Sequence, residues 1–430
     1  MSRAEELVQM GPEAFRQATN NARLVVLYPR NRYRNAYLSR YLKEPGSGLF
    51  YYALQTSDRN LRKFLTNLIE DLGAMNEQFG VHVRAALAAK AKATDLAAAL
   101  GEDLNSLSAE PFVLLLDQFD RLPEKDETQK FMEALTGLIP PQAQVMINAR
   151  EQSYLPWFTL VSAQRATVLG AEYVPEEGGP PTTELPDRPR VEVFSLGSGY
   201  ALVNGAPVTH WDGELPRNLF FFFIDHELVT RDEIFDVFWP TLSVKEATNV
   251  FHVTKRKINE RIGYDLTQYA SGFYSHSDRI DLYYDVSDFS KTVEAAMMAE
   301  EKDQPDLWKR AVDLYRAPFL HRLDMPWVEH RRKEVGAQYA QALIGLGRIS
   351  QSRNQIDDAL RYYTRALRQT PEREDIHRQV MELYHQRGEN DKAVEQFRLL
   401  EKSLRDTLNI TPSPETLNLY KLIIGDDSEK

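Results

Sequence analysis

Between Lys245 and Gly263 the chain reads KEATNVFHVTKRKINERIG, and its polar residues recur at spacings that a helix would gather on one side. At about 100° per residue, Lys245, Asn249, His252, Arg256, Asn259 and Glu260 share a face, with Lys255 and Lys257 on its flanks. Asn and Arg carry the paired donors and acceptors that base edges demand, and lysine ammoniums reach phosphate oxygens. The chemistry on offer is recognition of a polyanion, with no bond made or broken. Opposite this face, Ala247, Val250, Phe251, Thr254, Ile258 and Ile262 form an apolar stripe that has to be buried. A basic stripe is equally what an ordinary solvated helix face looks like, so the neighbouring elements decide between the two readings.

Upstream, VEVFSLGSGYALVNGAPV has the alternation of a β-hairpin, and PRNLFFFFIDH and TRDEIFDVFWP predict two short helices, the second stopped by Pro240. Downstream, YDLTQY and GFYSH flank Ala270, Ser271 and Gly272, a second hairpin signal. The order hairpin, helix, helix, basic helix, hairpin is that of a winged helix-turn-helix over 191–290, with the basic helix in the recognition position. Arg256, Asn249 and His252 are then the base-edge candidates, with Asn259 on the same face. Lys245, Lys255 and Lys257 are phosphate candidates, and the wing adds Tyr269, Ser271 and Tyr274.

Through VTRDEIFDVFWP and NVFHVTKRKINERIG the chain resembles the winged-helix domains of response regulators, and more closely those of the antibiotic regulatory protein (SARP) activators of bacteria. One departure is Asn259, which stands where those helices commonly carry a basic residue. The segment AVDLYRAPFLHRLDMPWV leads into two copies of a helical unit 34 residues apart: NQIDDA at Asn354–Ala359 aligns with GENDKA at Gly388–Ala393, and Tyr363 with Phe397. That period, with a small residue at the tight contact (Ala359, Ala393), is the tetratricopeptide signature. With YRAPFL, MPWVE and the terminal ITPSPETLNLY, residues 300–424 are similar to the bacterial transcriptional activation domain that follows the winged helix in SARP proteins. The resemblance implies an activator of transcription whose repeats engage RNA polymerase or a second protomer.

The first 173 residues read differently. The runs ARLVVL, FYYAL, EPFVLLLDQF and QAQVMINARE are buried-strand patterns separated by amphipathic segments, which predicts a parallel α/β sheet. The layout resembles the P-loop modules of the signal-transduction ATPases with numerous domains (STAND), but the chemistry has been removed. A phosphate loop needs glycines, a lysine and a magnesium-binding hydroxyl. Here the loop is PRNRYRNAY, without glycine, with Asn35 in the lysine place and Ala36 in the hydroxyl place. Asp117 is left as a candidate metal carboxylate. Arg30, Arg32 and Arg34 are a candidate anion site, since crowded guanidiniums favour a counter-ion; the alternative is arginines pointing into water.

The expected fold class is therefore multidomain: an α/β parallel-sheet domain like a degenerate P-loop NTPase, a winged helix-turn-helix, and an all-α repeat domain. The stretch 174–190, VPEEGGPPTTELPDRPR, concentrates proline, glycine and acid and reads as a mobile linker. A second break, expected to be stiff, falls at Glu300–Asp306, where Pro305 interrupts the helical pattern.

A net charge of −11 argues against strong polyanion steering, and residues 188–290 carry 10 Lys and Arg against 15 Asp and Glu. Local charge still governs contact: Lys245–Arg261 holds five basic and two acidic residues. The absence of cysteine excludes disulfides and thiolate zinc sites and fits a reducing compartment. No apolar run reaches the roughly 18 residues of a membrane span, and MSRAEELVQM is no signal peptide, so a cytoplasmic location is expected. The nine histidines show no metal-ligand spacing. No enzyme activity, cofactor or metal is expected. Two other readings stay open: a protein-interaction scaffold, and a ligand-gated switch without DNA specificity of its own.

Overall fold

The runs LVVL, LFYYA, FVLLLD and AQVMIN are apolar on both alternations, as strands covered on both faces must be. The computed structural model describes residues 19, 22–27, 48–55, 57–74, 76, 78–122, 126–148, 160, 165–169 and 188–427. Within them β1 (Leu24–Leu27), β2 (Leu49–Ala53), β3 (Phe112–Asp117), β4 (Ala143–Asn148) and β5 (Thr167–Leu169) form one sheet in the order β2-β3-β4-β1-β5. Every pairing is parallel, as the strand and helix alternation predicts. Helices α1 (Leu61–Leu72), α2 (Val81–Ala88), α3 (Ala93–Leu107) and α4 (Asp126–Leu135) complete this part. Leu65, Leu68, Leu100 and Phe131 from these helices pack with Leu114, Leu116, Val145 and Ile147.

The alternate strand residues, Val25, Tyr51, Val113, Leu115 and Met146, enter a second cluster with Phe194 and Leu202. Those two belong to the next sheet, in which β12 (Asp281–Tyr284), β6 (Arg190–Phe194), β7 (Tyr200–Val203) and β8 (Ala206–Pro207) lie in that order. The two sheets share this core and belong to one compact unit. Residues 174–187 of the linker lie outside the described residues, and Arg190 is already a strand residue.

After this sheet come α5 (Glu214–Asp225), β9 (Leu228–Thr230), α6 (Arg231–Phe238), α7 (Val244–Ile262), β10 (Thr267–Ala270) and β11 (Phe273–His276). Phe220, Phe221, Phe222 and Phe223 are all buried, which accounts for a helix apolar around its whole girth. Strands β10, β11 and β9 form a separate antiparallel sheet. The β10–β11 turn has two residues, Ser271 at φ 53° and Gly272 at φ 91°, the doubly left-handed form that suits a tight hairpin.

The second unit, Val286–Phe319 with 324–430, is helical. It contains nearly all of α8 (Asp285–Met298) and then α9 (Gln304–Leu314), α10 (Pro326–Ser352), α11 (Ile356–Gln369), α12 (Glu374–Gln386), α13 (Asn390–Leu408) and α14 (Pro414–Asp427). Pro305 opens α9 instead of ending a helix, because a proline in the first turn gives up no hydrogen bond.

The repeat is carried down to single hydrogen bonds. Asn354 and Gly388 both take left-handed φ, 58° and 72°, between the helices of their pairs. Gln355 N–H donates to Ser350 O at 2.8 Å, and Glu389 N–H to Tyr384 O at 2.9 Å, the same helix-ending bond in each copy. Ala359, Ala393 and Tyr363 are fully buried and Phe397 nearly so. Among the described residues no helix is long and apolar enough to cross a membrane.

Candidate nucleic-acid interface

Helix α7 starts and stops where its sequence says it should. Ser243 accepts from Glu246 N–H while the Glu246 carboxylate accepts from Ser243 N–H, a reciprocal cap, and Gly263 closes the helix at φ 81°. The shared bonds with Ser243 hold the Glu246 carboxyl below its ordinary range. Thr230 and Glu233 cap α6 in the same way. Fixed ends matter because a surface helix can present a defined face only if its first and last turns do not fray.

The apolar stripe goes inward as expected. Ala247, Phe251, Thr254, Ile258 and Ile262 are buried, and Val250 is partly so. Phe251 is the meeting point of the unit: its ring lies 5.9 Å from Phe235 of α6, 6.3 Å from Phe223 of α5 and 5.2 Å from Tyr274 of β11. Such edge-to-face contacts fix the rotation of α7 about its axis as well as its position.

The opposite face is open. Lys245, Asn249, His252 and Arg256 are exposed. Lys245, Asn249 and His252 make no side-chain hydrogen bond or ion pair among the described residues. Among the described residues Arg256 has only Glu260, at 3.6 Å on the exposed surface, a pair worth little in water. Val253 stands at the edge of this face, 46% exposed, and was not among the sequence candidates. Its place on the wheel was available; its apolar type hid it.

Four candidates are placed differently from the open face. Asn259 donates to Asp265 at 2.6 Å and accepts from Leu266 N–H at 3.3 Å, so its amide holds the start of the following strand. Tyr274 is buried, its ring 4.8 Å from Tyr269 and packed on Phe251; it belongs to the core instead of offering a wing contact. Lys255 is half-buried with its ammonium 5.2 Å from the Tyr274 ring centre, and desolvation lowers its pKa. Lys257 is partly buried. Tyr269 and Ser271 are exposed on the β10–β11 hairpin, Tyr269 at 60%, joined there by Phe273.

The last turn of α7 is tied down from outside. Arg261 donates from Nε and Nη2 to the two oxygens of Asp212, at 2.9 and 2.6 Å. His210 Nε2 lies 3.2 Å from the same carboxylate, which is held below its usual range first by the hydrogen bond from Arg261.

Of the second candidate centre, in the α/β sheet, the structure describes the surroundings of Asp117. Asp117, at the end of β3, accepts from Tyr51 Oη at 3.0 Å, Asn148 Nδ2 at 2.5 Å and Gln118 N–H at 2.7 Å. Both carboxylate oxygens are engaged, and Asp117 fastens β2, β3 and β4 together at their carboxyl ends. Arg30, Arg32, Arg34, Asn35 and Ala36 lie outside the described residues.

Residues 284–424 match the bacterial transcriptional activator domain family. The match begins at the end of β12 and takes in α8, earlier than the expected boundary at 300. It covers the C-terminal part of the region in which the sequence resembles the SARP activators; the proposed winged helix up to 283 lies outside the match. No curated protein matches the chain. Among solved structures it is similar to EmbR of Mycobacterium tuberculosis in complex with a low-affinity phosphopeptide, at 18% identity over 56% of this chain and 66% of that one, TM-score 0.45. It is also similar to a STAND protein with a tetratricopeptide repeat sensor from Pyrococcus horikoshii, at 11% identity over 96% and 66%, TM-score 0.28. The chain thus spans 66% of the length of either structure.

Proposed function

We propose that this chain, whose residues 284–424 form a bacterial transcriptional activator domain, is a DNA-binding transcriptional activator in which β6 to β12 make a winged helix-turn-helix and α7 enters the major groove. The reading is supported above all by the open face of α7. Lys245, Asn249, His252, Val253 and Arg256 stand clear of the core on a helix whose ends are capped and whose rotation is fixed by Phe251. Arg256 and Asn249 suit bidentate contacts to guanine and adenine, and Val253 suits a thymine methyl. Lys245 suits a phosphate, and exposed Tyr269, Ser271 and Phe273 make the β10–β11 hairpin a wing for the adjacent groove.

The acidic balance of residues 188–290 limits long-range attraction, so affinity depends on short-range contacts and on a second protomer. The helical pairs α10–α11 and α12–α13 act as tetratricopeptide repeats that recruit RNA polymerase or a second copy of the chain. The protein works by binding, without catalysis, in the cytoplasm.

Selection of bound fragments from a random double-stranded DNA pool tests this reading. At two salt concentrations, an enriched direct or inverted repeat that is lost with Arg256→Ala is the expected result, and its half-site spacing gives the dimer geometry. No enrichment at either salt overturns unaided DNA reading and favours a scaffold that binds proteins.

A further inference from the structure

A cleft of about 470 Å³ opens where β2, α1, the β7–β8 hairpin and α5 meet, all within the first unit. That volume is in the range of small-molecule sites. Its apolar walls include the rings of Tyr200 and Trp211, and its polar lining includes Thr209, His210, Arg217 and Arg322. Trp211 is braced from behind by Phe220 at 4.7 Å, and Tyr200 by Tyr51 at 4.7 Å and Phe194 at 4.8 Å, so both rings are held before any ligand arrives.

The charges in the cleft do not cancel evenly. Arg322 donates to Glu70 at 3.2 Å and lies 3.7 Å from Asp71, which meets its charge. Arg217 gives Nη2 to the carbonyls of Ser198 and Gly199 at 2.7 and 3.3 Å and forms no ion pair among the described residues. Those two carbonyls fix the guanidinium in place without neutralising it. Burial, and then the neighbouring Arg322, hold its pKa down to about 10, against the opposing pull of Asp71 and Glu214. Glu214 is exposed, where water screens it.

We propose that this cleft binds a small aromatic carboxylate, with the carboxylate on Arg217 and the ring against Tyr200 and Trp211, and that its occupancy is felt by α7. A guanidinium takes a carboxylate through two parallel hydrogen bonds, which gives orientation as well as attraction. The route to α7 is short. His210 lines the cleft and sits 3.2 Å from Asp212, and Asp212 holds Arg261 in the last turn of α7 by two bonds. A ligand that orders the 208–213 loop therefore orders the end of the helix. Only the consequence for DNA binding rests on the function proposed above.

The test is calorimetric titration of the full chain with salicylate and with indole-3-acetate, using inorganic phosphate as competitor. Saturable binding of either at a single site is expected, weakened about tenfold or more by Arg217→Gln, equivalent to about 1.4 kcal/mol. Ser57→Trp, which narrows the mouth from an exposed position, should weaken it as well without touching the core. No saturable binding of either probe, full displacement by phosphate, or binding indifferent to both substitutions overturns the site. Hydrogen exchange then reads the coupling with no DNA present: the probe should slow exchange in 244–262 in the native chain and leave it unchanged in Asp212→Asn. Unchanged exchange in the native chain with the probe bound overturns the coupling. Loss of DNA selection with ligand binding intact would overturn the proposed function and leave the site standing.

Discussion

Asn259 donates from Nδ2 to Asp265 Oδ1 at 2.6 Å and accepts Leu266 N–H at 3.3 Å, whereas Asn249, on the same helix, makes no side-chain hydrogen bond among the described residues. One asparagine is committed to holding the hairpin on α7, and the other is available. Asn259→Ala should cost about 0.5–1.5 kcal/mol of stability, the usual net worth of such bonds, and leave the selected DNA sequence unchanged. Asn249→Ala should do the reverse. Urea unfolding and the random-pool selection, run on both variants, separate the two roles.

Arg256 and Lys245 should differ in a second way. Arg256 can address two acceptors of one base, so Arg256→Ala should cost about 1–3 kcal/mol on the preferred site and relax the preference at one position. Lys245, exposed on the first turn of α7, should act on phosphate: Lys245→Ala weakens all sequences alike and lowers the salt slope by about 1. Lys255 suits that comparison less well, because its ammonium lies over Tyr274 and its replacement disturbs the core too. Equal losses on specific and random DNA for both variants would refute the division.

Much of this arrangement was written in periodicity. The stripe Ala247, Phe251, Thr254, Ile258 and Ile262 fixes which side of α7 is buried, and the doubly apolar runs fix a parallel sheet, because both patterns are local and repeat several times. What was not legible depends on partners far along the chain or on a parity choice. In Phe273-Tyr274 either ring can face inward, and the choice is set by the register of β11 on β9, where Tyr274 pairs with Val229. Asn249 and Asn259 are alike on a wheel until the chain returns with Asp265. The parallel pairing of β12 with β6 joins Asp281 to Arg190 across the whole intervening module, and the cleft gathers β2, α5 and Arg322; neither leaves a local trace.

His377 of α12 gives the second unit a pH dependence of definite sign. It is buried, accepts at Nδ1 from Gln396 Nε2 at 2.6 Å, and donates from Nε2 to Pro371 O at 3.1 Å, an arrangement that needs the neutral ring. Desolvation lowers its pKa below the ordinary 6.5. Between that lowered value and 6.5 the unfolded chain binds more protons than the folded one, so stability rises with pH there. Its contribution is complete above about 6.5 and is lost as pH falls toward the folded value. Hydrogen exchange across 374–408 should therefore slow from pH 7.5 to pH 5.5 by less than the fall in the base-catalysed chemical rate, because opening becomes easier as the pH drops. His377→Gln should bring the slowing closer to the chemical change; an equal shortfall in both proteins would assign it to other groups.

Gly347 of α10 and Tyr363 of α11 test how tightly the first helical pair is closed. A Cβ added at Gly347 would lie 2.4 Å from the Tyr363 ring, well inside contact distance. That ring is fully buried and its hydroxyl is anchored on Gln351 Oε1 at 2.8 Å, so it has little room to withdraw. Helix propensity alone would make Gly347→Ala favourable by about 1 kcal/mol. Overpacking opposes this by about 1–3 kcal/mol, and with a buried, anchored ring on the other side the upper part of that range applies. The variant should therefore be less stable than the parent in urea, and Gly347→Ala with Tyr363→Leu should recover part of the loss by opening space beside the new methyl. A stabilised single variant would mean that α10 and α11 are spaced more widely than the contact of Tyr363 with Gly347 requires.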